Sequence, residues 1–412
     1  MFILQFPPDV NSTGILIEQL CEGLLDYGHQ ITVITSFPHY EDFRLGEEFN
    51  GRWFERAPQN GLDVIRTYVY ADGTKHRMTS RLMNYVSFNV LATAANLFSR
   101  ERYDLIFATN GSFFTGISSY VGGGFGRIPF VYNVQDLYPD VPVRAGQLRS
   151  KSAIAVLRRM ERFMYERAAH ISVIAPSFRR SLLEKGVPAE KVSVIPNFVD
   201  TSFIRPMDKV NSFSKKHALA DKFVVTHAGN LGYAYDLETM LDAARLVRDR
   251  YGILFLVIGE GVAKVELQKR AETLGLSNVR FMPFQPREDL PFIRASSDVQ
   301  LSLYRPGASS DSMPSKVYEI MASGRPLLLS ADEGSDAWNL VAGAGAGITV
   351  EPGNAAQLSE GIVSLYEDTS LREEMGRSGR IQAEKKFSKD AVVRQYNSLF
   401  HQVAARHART RS

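Results

Sequence analysis

This sequence predicts two successive α/β domains of the doubly wound kind, and three observations lead there. Short apolar runs alternate with helix-period segments along the chain, the pattern of parallel sheets covered by helices on both faces. A polar stretch without apolar period, from Pro196 through Asp221, interrupts the alternation, and a second βα series begins at Phe223. At 412 residues the chain is also too long for one ordinary core. The expected division is a first domain over 1–200, a linker over 201–221, a second domain over 222–385 and a helix crossing back over 386–412.

In the first domain, Phe2 to Phe6 reads as a buried strand ended by Pro7-Pro8. The loop Asn11–Gly14 leads into a helix carrying Ile15, Leu16, Leu20 and Leu24, and Ile31 to Thr35 is the next strand. Strand, helix, strand is a βαβ unit, and the Asn11–Gly14 loop lies at a carboxyl end, where open sheets bind ligands. Pro38 to Gly61 reads as an aromatic-rich binding loop. Leu82 to Phe98 is a helix without a charged residue, read here as buried between sheet and neighbours; a helix dipping into one membrane leaflet is the functional alternative. The strand Phe130–Asn133 ends at Gln135-Asp136, which places Asp136 at a carboxyl end as well.

In the second domain, the strand Phe223–Ala228 runs into Gly229-Asn230-Leu231-Gly232, and Leu254–Ile258 into Gly259-Glu260-Gly261. Glycines at such turns let a phosphate approach the backbone. The full six-position dinucleotide fingerprint and a Gly-Lys-Ser/Thr loop are both missing, which disfavours a nicotinamide enzyme or a P-loop kinase. A third strand end precedes Ser309–Arg325, SSDSMPSKVYEIMASGR. There Asp311 lies in a polar loop, Lys316 in the first helical turn, and Glu319 inside an apolar run. An acid so placed needs a partner. A lysine at a helix N-terminus opposes the dipole and gains from a bound anion. Three strand ends converging in this way point to a nucleoside diphosphate, bound in a cleft between the two domains.

Composition narrows the chemistry. The single cysteine, Cys21, excludes an intrachain disulfide and a thiolate metal cluster, and the scattered histidines make a zinc site improbable. No metal and no cofactor are expected. The segment before Pro7-Pro8 lacks the basic region of a signal peptide. Net charge is near +3, but the bases gather between Lys75 and Lys185, a face suited to anionic lipid, nucleic acid or a phosphorylated substrate.

These pieces together resemble the retaining, two-Rossmann-domain (GT-B) glycosyltransferases of family four, and among them the bacterial O-antigen and exopolysaccharide sugar transferases, including those of N-acetyl-L-fucosamine. The matching stretches are FPPDVNSTG, YGHQITVIT, NVQDLYPD, VIPNFVD, GNLGYAYDLETMLDAA, IGEG and PSKVYEIMASGRPLL. The resemblance implies C-terminal helices packing back on the N-terminal domain. It implies that Gly229, Asn230, Gly232 and Lys316 hold the donor diphosphate, with Gly259 and Gly261 nearby and Gly14 approaching from the first domain. Glu319 would bind the donor ribose. Asp311, in place of a glutamate, would lie near the donor sugar, and Asp136 on the acceptor side. Tyr233, Ala234 and Tyr235 replace the family's bases, leaving Lys316 and Arg305 as countercharges. The implied partners are a nucleotide-sugar donor, a UDP-sugar by preference, a lipid-linked (polyprenyl diphosphate) glycan acceptor and the anionic inner face of the cytoplasmic membrane, with no nucleic acid. A nucleotide-sugar 2-epimerase, which needs no acceptor, and a non-catalytic sugar-binding protein are the alternatives.

Overall fold

The computed structural model describes residues 1–9, 11–74, 77–99, 101–144, 146, 148–233, 235–309 and 313–409. Two compact units make up the chain: Met1–Asn197 with Val392–Ser412, and Phe198–Ala391.

The first unit contains β1 (Thr32–Ser36), β2 (Phe54–Gln59), β3 (Leu62–Thr67), β4 (Ile106–Thr109), β5 (Phe130–Val134), β6 (His170–Val173) and β7 (Val192–Val194). They pair as β1-β3-β2 and β4-β5-β6-β7. The segment expected as the first strand joins these two ladders. Phe2 bridges Ile34 on one side and Ala108 on the other, both in parallel. Its amide donates to the Phe107 carbonyl at 2.8 Å, and Ile3 donates to Ile34 at 3.1 Å. It is a bridge and not a full strand, although Leu4 still accepts from the Ser36 amide at 3.2 Å. Strand order therefore reverses between 2–6 and β4, the usual ligand position of an open α/β sheet.

Two expectations for this unit change. The loop expected over Pro38–Gly61 contains β2, an antiparallel partner of β3. Its residues are mostly exposed, so no apolar alternation reveals it, and Pro58 is tolerated because the strand lies at the sheet edge. The helix that carries the charge-free segment 82–98, Met78–Phe98, is not sandwiched between apolar layers. Its inner face is polar: Asn84 donates to the Tyr70 carbonyl at 2.8 Å, and Asn89 to Ser112 Oγ at 2.6 Å. Its outer face is apolar, with Leu82, Met83, Val86, Val90, Leu97 and Phe98 exposed. Asn84 and Asn89 turn inward because each has a partner there.

The C-terminal helix Lys389–Arg409 completes this core. The rings of Tyr396 and Phe400 each lie 5.4 Å from Phe107, and the buried Asn133 donates to Tyr396 Oη at 3.0 Å.

In the second unit β8 (Phe223–Ala228), β9 (Ile253–Ile258), β10 (Val279–Met282), β11 (Val299–Leu303), β12 (Leu327–Ser330) and β13 (Gly347–Val350) form one parallel sheet in the order β10-β9-β8-β11-β12-β13. β9 is buried throughout and β8 nearly so, which explains their continuous apolar sequences. The order reverses between β8 and β11. The linker expected over 201–221 is folded into this unit. Asn211 caps the helix Ser212–Lys216 with a capping box, and Phe213 and Leu219 are buried against Val224, Leu256 and Ile293. Ile204, Phe213 and Leu219 anchor the segment one at a time, so no period shows in the sequence.

Candidate functional site

The glycine turns of the second unit interlock. Gly229, Gly259 and Gly261 have φ of +147°, +150° and +157°, which side chains rarely adopt. A Cβ on Gly259 would overlap the Gly229 carbonyl oxygen, and one on Gly261 the Leu231 carbonyl. Leu231 N donates to Glu260 O at 2.8 Å and Ala263 N to Leu231 O at 3.0 Å. Gly259 and Gly261 are thus explained by contact between two backbones, whatever else approaches them. Asn230 is exposed and Gly232 half-buried with room around its Cα. The next helix, Leu237–Leu246, starts five residues later and is already capped by Asp236, which accepts from Thr239 N. Its N-terminus does not face the turn as an open anion site.

Lys316 meets the first glycine turn. It sits in the opening turn of the helix Ser315–Ala322, which has no side-chain cap. As a residue it is half-buried, since its stem reaches the surface, but Nζ itself is buried and has no hydrogen-bond partner among the described residues. A Cβ on Gly229 would come within 3.2 Å of Nζ. The ammonium lies 4.2 Å from the centroid of the Tyr235 ring. Burial, reinforced by Arg294, lowers its pKa to about 7.

Glu319 has a partner that the sequence did not identify. Its Oε2 accepts from Arg294 Nη2 at 2.7 Å, and Arg294, 3% exposed, also donates to Gln300 Oε1 at 2.6 Å. Glu319 is 29% exposed, so part of the carboxylate still faces outward. Arg305, expected as a countercharge, lies 3.7 Å from Glu238. Asp311 lies outside the described residues. Just before it, Asp332 accepts from the Gly307 and Ser309 amides and from Ser309 Oγ, which fixes the loop after β11 and holds the carboxyl below its usual range.

His227, Arg294 and Asp332 were not singled out in advance, and Tyr235 was noted only as standing in place of a base. Asp332 was within reach, because it follows β12 at its carboxyl end. His227 falls inside the apolar strand run Phe223–Ala228, which hides it. His227 is fully buried, and that burial keeps its ring neutral.

In the first unit, a cavity of about 470 Å³ opens where the strand order reverses. Gln5, Asn11, Thr13, Tyr40, Arg81 and Asp136 are among its walls. Asp136 is exposed to this cavity; the surrounding mass withdraws enough water to raise its pKa. Asn110 fixes the backbone there, donating to Asp136 O at 2.5 Å. Gly14 is buried and does not line the cavity. A Cβ on it would come within 2.7 Å of the Gln5 carbonyl, so helix-to-strand contact accounts for the glycine.

Known proteins match both units. Residues 13–197 fit the family profile of the glycosyl transferase 4-like domain, and residues 209–382 that of glycosyl transferases group 1. The chain is 25% identical over 402 residues to WcaI of Escherichia coli K12, named a colanic acid biosynthesis glycosyl transferase, covering 95% of this chain and 97% of WcaI. It is 19% identical over 401 residues to the N-acetyl-alpha-D-glucosaminyl L-malate synthase of Bacillus anthracis, covering 96% and 95% of the two chains. Among solved structures it is similar to Anabaena HepE in complex with UDP, with a TM-score of 0.73 at 16% identity over 97% of this chain and 99% of that one. The two parallel-sheet units have the GT-B fold, and each of them matches a glycosyltransferase domain family.

Proposed function

We propose that the chain transfers a sugar from a nucleoside diphosphate-sugar, a UDP-sugar and specifically an N-acetylamino sugar, to a lipid-linked glycan with retention, in the synthesis of a bacterial surface polysaccharide. The observation that carries this reading is the buried Lys316 ammonium, without a hydrogen-bond partner among the described residues, beside a glycine turn where the strand order reverses. Departure of a nucleoside diphosphate needs positive charge placed beforehand, and Lys316 with the uncapped helix behind it meets that need. Glu319 takes the ribose, Asn230 and Gly232 border the diphosphate, and Asp311 and Asp136 serve the donor sugar and the acceptor. HepE, known with UDP and with UDP-glucose, supports the donor class. WcaI supports the surface glycan, and the Bacillus synthase the N-acetylamino sugar.

The test is calorimetry across UDP-, GDP- and TDP-sugars, followed by product analysis with and without a polyprenyl diphosphate-linked acceptor. A tight UDP-sugar that turns over only with acceptor fits; a new sugar formed from donor alone would instead mean epimerisation.

The outer face of Met78–Phe98 supports work at the inner face of the cytoplasmic membrane. None of the described helices is long and apolar enough to cross a membrane. Leu82, Val86 and Val90 form an exposed ridge at helical spacing, and Arg81 on the same helix borders the cavity of Asp136. Apolar side chains beside bases suit an anionic lipid surface. Replacing Leu82, Val86 and Val90 together by serine is expected to weaken sedimentation with anionic vesicles about tenfold or more, given the transfer energy of such side chains. UDP affinity should not change. Equal sedimentation of both proteins would remove the membrane from the proposal.

A further inference from the structure

Lys316 is seated on an aromatic face. Among the described residues, the charged groups that act on it are already engaged or of the same sign. From β8 comes His227, buried and neutral; from the helix Leu290–Ser296 comes Arg294, a second cation, already bound to Glu319. Glu319, one turn along the same helix, is a carboxylate that acts on it, and Arg294 holds it. Arg305 lies near Glu238. Tyr235 and Tyr304 are joined by an antiparallel bridge with their rings 5.9 Å apart. The glycine turn itself brings no base, since residues 229–236 contain neither Lys nor Arg.

We propose that Tyr235 is a positioning residue for diphosphate binding, its ring face seating the Lys316 ammonium against the Gly229 turn before the ligand arrives. The inference rests on the donor reading of Lys316 given above. A lysine gives up rotamer entropy when it is fixed. A desolvated cation over an aromatic face recovers a comparable amount. The ring thus offsets the ordering of the side chain without a carboxylate, whose negative charge would compete with the diphosphate. It also favours the charged form of an amine that burial pushes toward neutrality.

The experiment is calorimetry with UDP and with uridine on the full chain, comparing wild type with Tyr235→Phe, Tyr235→Leu, Tyr235→Met and Lys316→Ala, between pH 6.5 and 9. Uridine lacks the diphosphate, so its binding reports folding and base and ribose contacts only. Tyr235→Leu and Tyr235→Met remove the ring face from an apolar wall, and Tyr235→Phe keeps it. Leu and Met are expected to weaken UDP binding roughly 5- to 30-fold with uridine unchanged, the range a lost cation–π contact allows. Phe should stay within about twofold of wild type. A phosphate's second ionisation lies near 6 and the uracil imide ionises only toward the alkaline end of the range, so between about pH 7 and 8 the ligand's charge hardly changes and a decline there belongs to the protein. Wild-type UDP affinity should fall above a midpoint of about 7, as Lys316 loses its proton. In the Leu and Met variants that midpoint should move to lower pH.

UDP affinity and midpoint unchanged in both Leu and Met overturn the proposal, and so does a Phe variant as weak as Leu. If Leu and Met are silent while Lys316→Ala still loses UDP, the donor reading stands without Tyr235. If Lys316→Ala also binds UDP like wild type, the donor reading itself fails.

Discussion

Lys316→Ala is expected to lower affinity for UDP about 100-fold and to leave uridine affinity within about twofold. A hydrogen bond to a charged group contributes about 1.5–3 kcal/mol, and more where water is excluded, as it is around this Nζ. The substitution should also stabilise the unliganded protein at neutral pH. Burial holds the folded-state pKa near 7, against about 10.4 for a free lysine side chain. Between those values the unfolded chain binds more protons than the folded one, so this lysine's contribution to stability improves as pH rises through the window. Its full cost applies below pH 7, where Lys316→Ala removes it. A higher melting temperature with lost UDP binding is the signature of a group placed for a ligand. A lower melting temperature with equal losses for UDP and uridine would mean that Lys316 serves the fold instead.

The sheets were legible because parallel strands buried on both faces leave continuous apolar runs, as in Phe223–Ala228 and Ile253–Ile258. β2 was not, because an exposed edge strand carries no such run. The segment 201–221 read as a linker because its anchors, Ile204, Phe213 and Leu219, fall at no fixed period. The helix Met78–Phe98 misled in a more instructive way. Asn84 and Asn89 form its inner face, satisfied by Tyr70, Ser112 and Ser118. Absence of charge identified an unusual helix without telling which side met solvent. Gly229, Gly259 and Gly261 were found by their place at strand ends, but contact between the two turns was not. Sequence spacing records where a turn falls and not which turn it touches. Tyr235 was noted only as standing in place of a base for the same reason: as a residue type it is neutral, and only its distance to Nζ gives it a role.

Glu319→Ala is expected to lower UDP and uridine affinity by the same factor, about 10- to 100-fold, since a ribose contact is common to both ligands. That equality separates it from Lys316→Ala, which discriminates between them. The substitution also removes the carboxylate facing Arg294, whose guanidinium is 3% exposed and would retain only Gln300. Breaking a fully buried pair by deleting one partner costs about 3–5 kcal/mol. Glu319 is 29% exposed and water can reach part of the gap, so a loss of about 2–3 kcal/mol is expected. Loss of binding in Glu319→Ala could therefore arise from a disturbed site as easily as from a missing ribose partner. The double change Arg294→Leu with Glu319→Leu resolves this, because it removes both charges and leaves neither one stranded. Stability should return toward wild type while uridine affinity stays low. Uridine binding restored along with stability would assign Glu319 to Arg294 alone and leave the ribose without it.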